Sequence, residues 1–150
     1  MKIAVASDHG GLSLKNCLIE FLQQNGCEVV DFGTTTAESC DYPDFARPAA
    51  QAVASGKCER GIVCCTTGIG VSMVANKVRG VRCALCTNTD MTSATRHHNN
   101  ANVLALGEGV TGKNLALDIV KVFLETPFSN DARHQRRIDK ITEIEKKFMK

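Results

Sequence analysis

The sequence has no tryptophan, one tyrosine and six phenylalanines. So few aromatic rings make a poor platform for stacking nucleic-acid bases. An excess of charge is missing too, since 18 Lys+Arg against 16 Asp+Glu leave a formal +2. Without a strong field, neither nucleic acid nor an anionic membrane surface is expected as a partner. Long apolar runs are also absent. The opening MKIAVAS is interrupted by Asp8, too early for a secretory leader and far too early for a bilayer span. The chain is therefore expected in the cytoplasm with its thiols reduced.

What the sequence does have is 150 residues, 43% hydrophobic and 23% charged, the size and makeup of one globular domain, residues 1–150. No internal repeat or low-complexity linker divides it. Its odd feature is eight cysteines. A disulfide scaffold needs a secreted context and a chain too small for its own core, and neither applies. Cys83 and Cys86 form a C-x-x-C inside an apolar run that reads as a strand. Side chains three apart on a strand point to opposite faces, so no metal site is expected there.

Short apolar runs alternate with amphipathic segments along the chain. Strands are expected over 2–7, 27–32, 61–65, 81–86 and 102–106. Helices are expected over 12–24, through an Ala-rich segment ending near Ser55, from the Gly68–Gly70 turn to about Lys77, and over 90–98. The Ala-rich helix should start or kink at Pro48. A further helix through Leu115, Ile119, Val122 and Phe123 has Thr111 as its candidate cap, and a last one runs from about Asp131 to the C-terminus. This alternation predicts a single-domain α/β fold with a doubly wound, parallel five-stranded sheet, Rossmann- or flavodoxin-like. The last helix carries Ile138, Ile141, Ile144 and Phe148 on one face, a stripe that a partner subunit could cover.

In such folds ligands sit at the C-terminal ends of the strands. The residues expected there are Asp8-His9-Gly10-Gly11, the run Cys65 to Gly70, and His97-His98-Asn99. Thr66-Thr67-Gly68-Ile69-Gly70 reads as an anion cradle, with backbone N–H groups converging at a helix start. No Lys follows as in a nucleotide-binding P-loop, and the dinucleotide fingerprint is incomplete. Cys65 opens this turn, where the helix dipole favours a thiolate usable as a base or nucleophile. Cysteine is also among the most buried residue types, so packing competes with chemistry at this position. Asp8 reads equally as a plain N-cap, His9 and His98 as surface or capping groups. Arg133 and Arg137, four apart on one helical face, read as a solvated face or as a phosphate grip.

Asp8-His9-Gly10-Gly11, Asp41-Tyr42-Pro43, Cys65 through Gly70, Ala75-Asn76-Lys77, His98-Asn99, and Arg133-His134 with Arg137 follow in this order. Together they resemble ribose-5-phosphate isomerase type B, in the family that also holds the galactose-6-phosphate isomerase subunits. The resemblance implies a metal- and cofactor-independent aldose–ketose isomerase, acting through an enediolate in the pentose phosphate pathway. It implies a homodimer, or a dimer of dimers, with active sites shared between subunits. On this resemblance Cys65 moves the proton between C2 and C1, Thr67 assists at the substrate oxygens, and the N–H groups of Thr66, Thr67, Gly68, Ile69 and Gly70 hold the oxyanion. His98 opens the furanose ring, Asp8 and Tyr42 place the sugar, and Asn99 lies close by. His9, Arg133 and Arg137 bind the phosphate, the arginines arriving from the neighbouring subunit. Where some members have a glutamate base, this chain has Val71, which favours Cys65 in that role. Where the family usually has glycine after the cysteine, this chain has Thr66, whose Cβ could strain the turn or narrow the pocket. A galactose- or allose-6-phosphate isomerase, and a non-catalytic phosphosugar-binding module, remain as alternatives.

Overall fold

Segments rich in Val, Ile and Ala form five strands in the computed structural model, which describes residues 1–150. They are β1 (Lys2–Ser7), β2 (Glu28–Asp31), β3 (Arg60–Cys65), β4 (Cys83–Leu85) and β5 (Val103–Gly107). All pairings are parallel, in the order β2-β1-β3-β5-β4. The amphipathic segments form α1 (Leu12–Gln24), α2 (Pro43–Ala54), α3 (Ile69–Ala75), α4 (Thr89–Ala94), α5 (Lys113–Glu125) and α6 (Ala132–Phe148). The doubly wound α/β expectation is met.

Period-two alternation sorts the sheet into two cores. Ile3, Val5, Ile62, Cys64, Leu104 and Leu106 face α1 and α5, packing on Leu18, Leu22, Ile119 and Phe123. Ala4, Ala6, Val63, Cys65, Val103 and Ala105 face α2 and α3, where Ala46, Ala49 and Ala50 let α2 lie close to the sheet. Each large apolar side chain so buried contributes about 1.5–3 kcal/mol. Cys64 and Cys65 thus belong to opposite cores, as do Cys83 and Cys86.

Several local expectations need correction. Helix α2 starts at Pro43, whose missing N–H costs nothing at a first turn. Pro48 lies inside it, where the carbonyl it leaves without a partner is that of exposed Asp44. Thr111 does not cap α5, because the cap position is Gly112 and Thr111 is buried, with its N–H on the Gly107 carbonyl. The edge strand β4 is only three residues long. On its free side the Asn76 side-chain amide takes the place of a neighbouring strand, accepting from Cys83 N–H at 2.8 Å and donating to its carbonyl at 3.0 Å. The helix expected over 90–98 is α4, capped by Asn88 Oδ1 on Met91 N–H, followed by a π turn, Thr95–Asn99.

Lys15 is fully buried on α1 and makes two 2.8 Å bonds to Asp31 at the end of β2. The chain leaves β1 toward one edge of the sheet and β3 toward the other, so the crevice of this fold opens above the C-terminal ends of those two strands. No helix is long and apolar enough to cross a membrane.

Candidate active site

Strand β1 is followed directly by Asp8, a buried carboxylate whose Oδ1 accepts from Gly10 N–H at 2.9 Å and Gly11 N–H at 3.2 Å. Its capping role is therefore real, and it serves a 3₁₀ turn, His9–Gly11, rather than α1 directly. One carboxylate oxygen does the capping and the other is free for a ligand. Gly11 fits only because it lacks a Cβ, which would fall 2.8 Å from the Cys64 backbone.

Strand β3 ends in Cys65, and the chain turns sharply into α3 through Gly68 at φ +80°. That conformation suits glycine, and a Cβ there would also strike Leu85 at 2.6 Å. The turn aims the Gly68 N–H at Cys65 Sγ, 3.1 Å away. The Ile69 N–H is taken by Thr67 Oγ1 at 3.2 Å. The cradle is thus narrower than expected: the N–H groups of Thr66, Thr67 and Gly70 make no bond within the chain, whereas those of Gly68 and Ile69 are committed. The β5 loop holds the turn from behind, with Glu108 N–H on the Cys65 carbonyl and Gly109 N–H on that of Thr66, both at 2.9 Å. Thr66 itself is not strained, since Asn100 and Asn130 are the non-glycine residues with positive φ.

These elements enclose a cavity of about 430 Å³ lined by Asp8, Tyr42, Cys65, Thr66, Thr67, Ile69, Gly70 and Met73. The Tyr42 ring lies directly over Gly70, leaving no space for a Cβ. Gly68 is buried at the base of the turn. Two other cysteines of the sheet carry shifted thiols. Burial pushes the Cys64 thiol far up, the neighbouring Cys65 adding to the effect, and pushes Cys83 up to about 12. Both therefore remain protonated at neutral pH.

The remaining expected site residues lie apart. His98, Asn99 and Arg137 line a second cavity of about 200 Å³ together with His134, Ile138 and Ile141. The π turn carries His98 and Asn99, and α6 supplies the rest. His134 is a member that sequence reasoning missed as a site residue, although it shares a helical face with buried Ile138 four residues on. Its ring lies 4.5 Å from that of His98, centroid to centroid. Arg133 Nη2 is 3.4 Å from His134 Nε2, and a guanidinium can only donate. The neutral ring therefore carries its proton on Nδ1, directed at Ser129 Oγ 2.9 Å away. Burial, then the proximity of His98, lowers the His134 pKa and keeps the ring neutral. His9 and Arg133 line neither cavity. His9 is exposed and accepts Cys40 N–H at Nδ1, 3.1 Å, while Arg133 also leans on Asp131 at 3.9 Å. Within one chain the expected residues that line a cavity fall into two groups that share none.

A family model described as Ribose/Galactose Isomerase matches residues 3–141. The solved structure of Clostridium thermocellum ribose-5-phosphate isomerase B superposes with a TM-score of 0.97, at 55% identity over 99% of both chains. A putative sugar phosphate isomerase of Bacillus subtilis, YwlF, is 49% identical over 98% of this chain and 99% of its own. The galactose-6-phosphate isomerase subunit LacB of Clostridium acetobutylicum is 37% identical over 96% of this chain and 83% of its own.

Proposed function

This chain belongs to the ribose/galactose isomerase family and is a sugar-phosphate isomerase, and on that footing we propose that it interconverts ribose 5-phosphate and ribulose 5-phosphate through an enediolate. Cys65 is the base that takes the C2 proton of the open-chain aldose and returns it to C1. The observation that carries this reading is the Gly68 N–H held 3.1 Å from Cys65 Sγ at the wall of a cavity that also contains Asp8, Tyr42 and Thr67. A backbone donor aimed at sulfur holds the thiol in place at that wall. Removing a proton beside a carbonyl also needs donors where the oxyanion forms. The unbonded N–H groups of Thr66, Thr67 and Gly70 supply them, with the Thr67 hydroxyl assisting proton transfer between the oxygens. Asp8 and Tyr42 place the sugar.

Ring opening falls to His98, with Asn99 beside it, and phosphate binding to His9, Arg133 and Arg137. The separation of His98 and Arg137 from Cys65 within one chain supports a site completed by a second copy, a homodimer or a dimer of such dimers. The exposed apolar residues of α6, Ile144 at 58% and Phe148 at 73%, support the same assembly. The reading places the enzyme in the cytoplasm, in the pentose phosphate pathway.

The test is direct. Purified protein should form ribulose 5-phosphate from ribose 5-phosphate without added metal. Cys65→Ala should lower kcat by at least about 100-fold, the usual worth of a positioned acid–base group. Absence of ketose formation by the wild type, or an unimpaired Cys65→Ala variant, would sink the assignment.

A further inference from the structure

The proton transfer proposed for Cys65 does not itself select a five-carbon sugar, because five- and six-carbon aldose phosphates present the same reacting end. We infer that the Thr66 side chain is a gauge of sugar length, fitting five-carbon phosphosugars and excluding six-carbon ones. The inference rests on the reading above, in which Cys65 meets the reacting end and His9 the phosphate.

Thr66 adjoins both the cysteine and the turn that carries His9. It follows Cys65 directly, and its Oγ1 lies over Gly10, the neighbour of His9, so closely that a Cβ at Gly10 would overlap it. On the other side its Cγ2 sits 3.0 Å from where a Cβ of Gly109 would lie. The side chain is thus wedged between the His9–Gly11 turn and the β5 loop, while remaining exposed as part of the cavity wall. It cannot move aside easily. Its backbone is tied to Gly109, the adjoining Thr67 backbone is pressed against Gly107, and a β-branched side chain is stiff at χ1. With the reacting carbons at Cys65 and the phosphate at the His9–Gly11 turn, a substrate would pass over this wedge. A six-carbon sugar needs room for one more CHOH unit along that path, and the side chain of Thr66 has about that bulk. Glycine at this position would open a trough between Gly10 and Gly109.

The experiment compares kcat/KM for ribose 5-phosphate and allose 6-phosphate in wild type, Thr66→Gly and Thr66→Ser. The wild type should prefer the five-carbon sugar. Thr66→Gly should raise the six-to-five ratio at least about tenfold, the scale of one buried methylene-sized group. Thr66→Ser, which keeps the hydroxyl and loses the methyl, should fall between. A ratio unchanged in both variants overturns the gauge, as does an equal loss on both sugars. If Thr66→Gly does not fold, an unchanged ratio in Thr66→Ser alone overturns it. A wild type inert on both sugars is instead the failure of the isomerase reading. Calorimetric dissociation constants for the same two sugars then decide the gauge by the same ratio.

Discussion

Gly68 fixes the geometry on which Cys65 depends. Its φ of +80° costs a residue with a Cβ roughly 1–2 kcal/mol, and here the added carbon would also meet Leu85 at 2.6 Å and the Leu106 carbonyl carbon at 2.9 Å. The backbone must then move, and with it the N–H that reaches Cys65 Sγ. Gly68→Ala should cost about 2 kcal/mol or more in urea unfolding and lower kcat beyond that loss. A variant as stable and active as wild type would show that the turn adapts freely. Single positions differ in how legible they are. The place of Cys65 at a strand-to-helix turn is legible from the apolar run before it and the Gly-x-Gly after it, whereas its assigned role comes from the family resemblance. The place of Lys15 is not legible. A lysine on a helix reads as a solvated charge, and only the end of β2 bringing Asp31 to its amine makes full burial tolerable.

The π turn Thr95–Asn99 is the element whose shape depends most on one buried charge. Arg96 donates to the Thr126 carbonyl at 3.1 Å, to Asn100 Oδ1 at 2.9 Å and to the Ala101 carbonyl at 2.6 Å, with no carboxylate partner. Burial, then the nearby Arg60 and Arg82, lowers its pKa to about 10. The guanidinium is held because its spread donors reach three oxygens at once, and a lysine ammonium has no such fork. Arg96→Lys should therefore destabilise the protein by about 2 kcal/mol in urea unfolding and lower kcat more than KM changes, since the turn carries His98. An unchanged midpoint would mean that the three carbonyl and amide bonds contribute nothing net. The sequence pattern places a helical segment over 90–98 but could not reveal that it widens after Ala94, because Arg96 is held there by the Thr126 carbonyl of another element. The same limit applies to strand order. Alternation announces five parallel strands, yet that β5 inserts between β3 and β4 follows from long-range pairing, not from any local pattern.

At the scale of the whole molecule, the separation of Cys65 and His98 into two cavities of one chain has a consequence for mixed assemblies. If each site takes Cys65 from one subunit and His98 from its neighbour, Cys65→Ala and His98→Ala homodimers are both impaired at every site. A hybrid of the two places both defects in one site and leaves the other intact. Random reassociation makes half of the dimers hybrids, so an equimolar mixture, unfolded and refolded together, should regain about a quarter of the wild-type rate. If Cys65 and His98 served the same site within one chain, every site in the mixture would still carry one defect and no activity would return. Refolding each variant alone supplies the baseline. Ile144→Glu, which sets a charge on the exposed face of α6, should lower this recovery together with the dimer fraction in sedimentation. Recovery undiminished by Ile144→Glu would move the subunit contact to another face, whereas no recovery at all would refute the shared site itself.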